Sequence, residues 1–216
     1  MQKQLILASA SPRRRELVAL LGLPFTVVAS SVPEENSPNL TPIEYARRLS
    51  QEKAADVFSL MRLVDGLVLG ADTIVVTDRP GVPTILEKPV DESDARRMLA
   101  LLSGSTHTVH TAVSLAFTPA DWPHPDIFTS DCDLITEVVD TQVTFRDLTT
   151  EMIDAYLATG EPFDKAGAYG IQGFASAFVE AIYGDYFNVV GLPVATVARM
   201  LESLGIEWWQ GQAALE

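Results

Sequence analysis

Apolar residues along this chain fall into short runs separated by stretches with helical spacing. Leu5-Ile6-Leu7-Ala8 is a continuous apolar run and predicts a buried strand. Ser9-Ala10-Ser11 then turns the chain, and Pro12 fits the first position of a helix with Ser11 as its N-cap. Leu17, Leu20 and Leu21 supply that helix's apolar face, and Gly22 its stop. A second strand is expected over 25–29, followed by a loop rich in Ser, Pro and acid over 30–39. Thr41-Pro42-Ile43-Glu44 is a capping box with Pro at the first helical position, predicting a helix from 42 to about 62. Apolar runs at 67–69 and 74–76 bracket Gly70-Ala71-Asp72-Thr73, and residues 77–84 should turn between two strands. Ser93 or Asp94 is expected to cap a helix carrying Met98, Leu99, Leu101 and Leu102, which Ser103-Gly104 ends. β-Branched and aromatic residues predict strands over 108–117 and 137–145, with an exposed Pro-rich loop over 119–126 between them. A helix over 149–158, strands over 178–182 and 187–190, and a closing helix over 193–204 complete the pattern. Strands and helices alternate throughout, which predicts an α/β fold.

Composition narrows the class. The 216 residues include 15 Lys+Arg and 29 Asp+Glu, a formal net charge of −14. Sequence-independent binding to nucleic acid or to an anionic membrane needs a basic face, so neither partner is expected. With 47% hydrophobic and 20% charged residues, the chain can bury a full core as one domain or two closely packed lobes. The domain is expected to occupy 1–216, with a short lead over 1–3 and a tail from about 206. One cysteine, Cys132, forms no internal disulfide, and no apolar run approaches the ~18 residues of a membrane span. A soluble cytoplasmic protein is expected.

Several residues are out of character with their surroundings. Arg13-Arg14-Arg15 puts three cations in the first turn of a helix, where each costs about 0.3–1 kcal/mol against the macrodipole. An anion would reverse that cost, and Ser9 and Ser11 add donors of the kind that cradle phosphate. A solvated basic face paired to surface acids is the plainer alternative. Asp72 stands between two apolar runs, as a turn aspartate or as a carboxylate facing a metal or cation. Lys53 falls on the apolar side of its helix and reads either as a snorkelling lysine or as part of the same polar cluster. Asp164-Lys165-Ala166-Gly167-Ala168-Tyr169-Gly170-Ile171-Gln172-Gly173 carries a glycine at every third position, either a structural turn or a backbone open to close approach by a ligand. Lys88, in Glu87-Lys88-Pro89, is a further cation. His107, His110 and His124 make no zinc-ligand set, and the first two are expected at a strand surface.

Taken together, Leu7-Ala8-Ser9-Ala10-Ser11-Pro12-Arg13-Arg14, Leu69-Gly70-Ala71-Asp72-Thr73, Glu87-Lys88-Pro89, Leu102-Ser103-Gly104, the 164–173 stretch and Val190-Gly191-Leu192-Pro193 resemble the Maf family over roughly residues 4 to 205. The resemblance implies a mixed, twisted β-sheet flanked by helices, in two lobes with an active-site cleft, similar to the ITP pyrophosphatases. It implies a nucleoside triphosphate pyrophosphatase that cleaves between the α and β phosphates with a divalent metal cation (Mg²⁺, Mn²⁺ or Co²⁺). By that resemblance Asp72 is the catalytic proton acceptor. Arg13, Thr73 and Gln172 match positions that separate substrate subfamilies, and Glu34, Lys53 and Lys88 match polar cleft positions. The Asp-Thr pair with Gly-Ile-Gln-Gly looks like the dTTP/UTP subfamily; the 7-methyl-GTP subfamily has Asp-Gln and a Cys-Ala-Gly-Ser-Phe type of stretch. The chain departs from the family at Pro33, where an acid is frequent. A homodimer is the state the resemblance implies.

Residue chemistry and resemblance then converge. Ser9, Ser11, Arg13, Arg14, Lys53 and Lys88 are expected on phosphate, and Glu34 and Asp72 on metal. Two rivals stay open: the same reaction on modified nucleotides as a house-cleaning activity, and a non-catalytic nucleotide-binding regulator of cell division.

Overall fold

Local chemistry decides where the elements begin. In a computed structural model, which describes residues 4–34, 39–61, 66–79, 81–118, 127–128 and 132–210, β1 (Gln4–Leu7) leads into α1 (Pro12–Ala19). The Ser11 hydroxyl accepts from the Arg14 N–H as N-cap, with Pro12 in the first turn. β2 (Phe25–Val27) is followed by α2 (Pro42–Met61). Its capping box is closed in both directions: the Glu44 carboxylate accepts from the Thr41 N–H and hydroxyl, and Thr41 Oγ1 accepts from the Glu44 N–H. β3 (Gly66–Thr77), β4 (Thr84–Leu86), α3 (Glu92–Leu102), β5 (Thr106–Phe117), β6 (Ile127–Phe128), β7 (Asp133–Phe145), α4 (Thr150–Leu157), β8 (Val179–Tyr183), α5 (Tyr186–Val190) and α6 (Val194–Ser203) follow.

Strand order is β2-β1-β3-β5-β7-β6, with β4 also pairing β3 and β8 also pairing β7. β1 is parallel to both β2 and β3, while β3–β4, β6–β7 and β7–β8 are antiparallel, so the sheet is mixed as expected. The chain divides into two units. The first holds Met1–Asp72, Thr111–Val139 and Gly191–Glu216; the second holds Thr73–His110 and Asp140–Val190. The first unit's core includes Ile6, Ala8, Ala54, Val57, Phe58, Val68, Ala116, Cys132 and Leu134. The second is built on aromatic edges: His107, Tyr169, Phe178 and Phe145 pack in T-shaped pairs, and Tyr156 meets Phe178 in the same way.

Four expectations change. The two apolar runs around Gly70-Ala71-Asp72-Thr73 are one strand, β3, so Asp72 is not a turn residue. The cap of α3 is Asp91, whose carboxylate accepts from the Asp94 N–H and the Ser93 hydroxyl. Residues 187–190 are helical in α5 because Asp185 Oδ1 accepts from the N–H groups of Phe187 and Asn188. His107 is 2% exposed rather than at the surface. The loop expected over 119–126 lies outside the described residues. Among the described residues no helix is long and apolar enough to cross a membrane.

Candidate active site

Strand order locates the site in the first unit. From β1 the chain runs through α1 to β2 on one side, then through α2 to β3 on the other. In open α/β sheets ligands gather beyond the carboxyl ends of strands where the order reverses in this way. Leu7 of β1 lies opposite Leu69 of β3, and the Ala8 N–H donates to the Leu69 carbonyl. Ser9 to Arg14 therefore leave β1 beside the stretch of β3 that leads to Asp72.

Around the α1 entry, Ser9 Oγ accepts from the Ser11 N–H at 3.2 Å and from Arg14 Nη1 at 3.5 Å. Arg14 Nε donates to the Gly191 carbonyl at 2.9 Å. Desolvation lowers the Arg14 guanidinium from its ordinary value; Asp72 and then Glu34 act to raise it, and Arg13 lowers it further. The guanidinium stays charged, because an arginine begins so far above neutrality. Arg13 is half-buried and Arg15 exposed.

Asp72 is 5% exposed and Lys53 7% exposed. Lys53 Nζ donates to Asp72 Oδ1 at 2.7 Å and to Glu34 Oε1 at 2.7 Å. The lysine that the sequence left between a snorkelling and a polar-cluster reading is thus the centre of an ion triad. A buried carboxylate of this kind is tolerable only with such a partner.

Two features of the local sequence bring the triad together. The first is Gly70. A Cβ there would lie 2.4 Å from the Ser50 carbonyl oxygen and 2.7 Å from the Ala54 nitrogen, both α2 backbone atoms. Only glycine lets β3 approach α2 this closely, one residue from Ala71 and two from Asp72. The second is a buried hydroxyl chain, with Ser50 Oγ 2.8 Å from Ser114 Oγ and Ser114 Oγ 2.9 Å from Thr136 Oγ1, to which Gln51 Nε2 also donates. It fixes the helix that carries Lys53. One turn further on, Asp56 Oδ2 accepts from the Ser30 hydroxyl and the Ser31 N–H, tying down the loop that leads to Glu34. The Ser30 bond, then the Ser31 N–H, holds the Asp56 carboxyl below its ordinary pKa.

Thr73, Lys88 and Gln172 belong to the second unit. Thr73 is half-buried in β3; Lys88 and Gln172 are exposed. The Gly167 N–H donates to the Glu87 carbonyl, so the Glu87-Lys88-Pro89 segment and the glycine-rich stretch are neighbours. The structure thus brings Ser9, Ser11, Arg13, Arg14, Glu34, Lys53 and Asp72 into one unit, and Thr73, Lys88 and Gln172 into the other. Gly191, Asp56 and the Ser50–Ser114–Thr136 chain were not singled out as parts of the site. Only Gly191 stood in a motif that could have signalled it.

Among the described residues no group of three or more His, Cys, Asp or Glu side chains converges as a metal cage. The donors that suit a hard cation are the Glu34 and Asp72 carboxylates, which already converge on one cationic centre, the Lys53 ammonium. Two carboxylates completed by phosphate oxygens and water are a donor set that Mg²⁺ accepts.

The fold is thus α/β, with a buried carboxylate–lysine pair and an arginine-bearing helix entry at a strand-order reversal. The Maf-like protein family model matches residues 4–204, and the chain belongs to the Maf family. It is 48% identical over 206 residues to a dTTP/UTP pyrophosphatase of Moorella thermoacetica, covering 95% of this chain and 97% of that one. It is 46% identical over 202 residues to a dTTP/UTP pyrophosphatase of Koribacter versatilis, covering 94% and 95% of the two chains. A nucleoside-triphosphatase / dITP/XTP pyrophosphatase from Mycobacterium abscessus overlays with a TM-score of 0.39 and 14% identity, over 93% of this chain and 94% of that one.

Proposed function

We propose that this protein is a nucleoside triphosphate pyrophosphatase that hydrolyses dTTP and UTP to the monophosphate and pyrophosphate. The observation that carries the reading is the buried Asp72–Lys53 ion pair, joined by the exposed Glu34 carboxylate and beside the Arg14 guanidinium, in a chain 48% identical to a protein of that name. A triphosphate brings several negative charges, and its anhydride resists attack until they are offset. Arg13 and Arg14 offset them from the start of α1, with the Ser9 and Ser11 hydroxyls as further donors and Lys88 as a further cation.

Asp72 is the general base. It takes a proton from water as the water oxygen bonds to one phosphorus of the α–β anhydride. The bridging P–O bond breaks, and the leaving oxygen keeps the electron pair. Lys53 keeps the buried carboxylate paired and oriented. Glu34 and Asp72 would hold the divalent cation, which when bound supplies charge neutralisation to the phosphates. Thr73 and Gln172 read the pyrimidine base, Gln172 with a paired donor and acceptor. The setting is a cytoplasmic homodimer, which light scattering on the purified protein would test; a monomer at all concentrations would remove that part.

Phosphorus NMR of the products tests the reaction itself. UMP and pyrophosphate from UTP are expected, with turnover lost in chelator and restored by Mg²⁺, Mn²⁺ or Co²⁺. UDP and inorganic phosphate would contradict the proposed bond, and turnover unchanged in chelator would remove the metal.

A further inference from the structure

Glycines at every third position of the 164–173 stretch left open a structural turn or a backbone open to a ligand. The structure fills that space from within. A Cβ on Gly173 would lie 2.3 and 2.4 Å from the two carboxylate oxygens of Glu161. Glu161 Oε2 accepts from the Phe174 N–H at 3.0 Å, and Glu161 Oε1 accepts from the Tyr156 hydroxyl at 3.1 Å. Tyr156 Oη in turn accepts from the Gly170 N–H at 3.2 Å. Its ring stacks on Phe174, with centroids 5.6 Å apart and planes 21° apart. The five-residue span from Gly170 to Phe174 is therefore pinned at both ends by one relay, Tyr156 to Glu161, and Gln172 stands exposed between the pins.

We infer that Glu161 is a positioning residue for substrate choice: its carboxylate, oriented by Tyr156, sets the conformation of the 170–174 turn and so the direction of Gln172. This rests on the proposed role of Gln172 in reading the base. A carboxylate suits the task because it accepts from a backbone N–H and a hydroxyl at once. The absent Cβ at residue 173 is what admits it. The glycine thus serves an internal anchor, whereas Gln172 serves the ligand.

The test compares kcat and KM for UTP, dTTP, CTP and 7-methyl-GTP in the intact protein and in Glu161→Ala, Glu161→Gln, Gly173→Ala and the Glu161→Ala/Gly173→Ala double variant. Folding is followed by circular dichroism. Glu161→Ala is expected to raise KM for UTP and dTTP about 10-fold with kcat within about 2-fold, so that the preference over CTP and 7-methyl-GTP narrows. Glu161→Gln, which keeps an acceptor, should recover part of the preference. Gly173→Ala expels the carboxylate and should act like Glu161→Ala, and the double variant should add nothing to either single change. Equal losses on all four substrates, or additive effects in the double variant, would overturn the inference while leaving the proposed function standing. A parent protein that splits neither UTP nor dTTP would overturn both.

Discussion

Gly70 and Gly173 are both places where a Cβ has no room, yet they are crowded by different things. At Gly70 the neighbours are backbone atoms of α2, which carries Lys53. At Gly173 the neighbour is the end of a flexible side chain, the Glu161 carboxylate. Backbone against backbone leaves no freedom, so the ion triad of the first unit is set by the main chain. A carboxylate can swing aside, so the 170–174 turn of the second unit is set by a contact that can be exchanged. Under the proposed function the chemical centre is rigid and the base-reading turn is adjustable.

The largest way to break this contrast is at the triad. Lys53→Met should destabilise the protein by about 3–5 kcal/mol, because it leaves the Asp72 carboxylate buried without its ammonium. Adding Asp72→Asn should recover much of that loss. Urea midpoints measure both, and a double variant equal to the sum of the singles would refute the coupling. Asp72→Asn alone should lower kcat by ~10²-fold or more with the fold retained; turnover within a few-fold of the parent protein would remove Asp72 from the chemistry.

Next is the pair of glycines. Gly70→Ala should cost about 1–3 kcal/mol and reduce turnover on every substrate, since α2 must move. Gly173→Ala should cost less and alter substrate preference instead. Equal stability losses and equal activity profiles would erase the difference between the two regions.

The smallest expected effect concerns His107 in the second unit. Burial pushes its pKa down to about 3. Unfolded, the same imidazole has a pKa near 6.5, so between the two values the unfolded chain binds the extra proton and acid favours unfolding. Between pH 7 and 5.5 this group should remove about 1 kcal/mol of stability, with the loss continuing toward pH 3. His107→Phe should flatten that part of the pH profile. An unchanged slope would mean that the histidine is charged in the folded state.

Much of the framework was legible because it rests on local signals. Ser11, Pro12 and the Thr41–Glu44 box begin their helices where capping chemistry requires. The misreadings arose where tertiary contacts override local preference. Gly70 and Asp72 look like turn residues, but the close packing on α2 and the Lys53 ion pair hold them in the middle of a strand. Phe187 to Val190 look β-forming, but Asp185 caps them as a helix, and the buried Asn188 amide donates to the Val109 carbonyl and Thr141 Oγ1. His107 reads as a surface residue of a strand, and it is buried because Tyr169 offers its hydroxyl 2.8 Å from Nε2. Of the site, Arg13, Arg14, Lys53 and Asp72 stood out from their local surroundings, whereas Glu34 and the roles of Thr73 and Gln172 came only from the family resemblance. The Glu161 anchor could not be named, because nothing in a sequence marks a carboxylate that reaches a glycine twelve residues away.

The most direct measurement is pyrophosphate release by the purified protein from a panel of canonical and modified nucleoside triphosphates, with a divalent metal present. The account predicts turnover with the highest kcat/KM on dTTP and UTP, lowered ~10²-fold or more by Asp72→Asn. Binding of dTTP without pyrophosphate release under any metal would contradict it and favour a non-catalytic regulator, and a best substrate outside the pyrimidine nucleotides would contradict the assigned specificity.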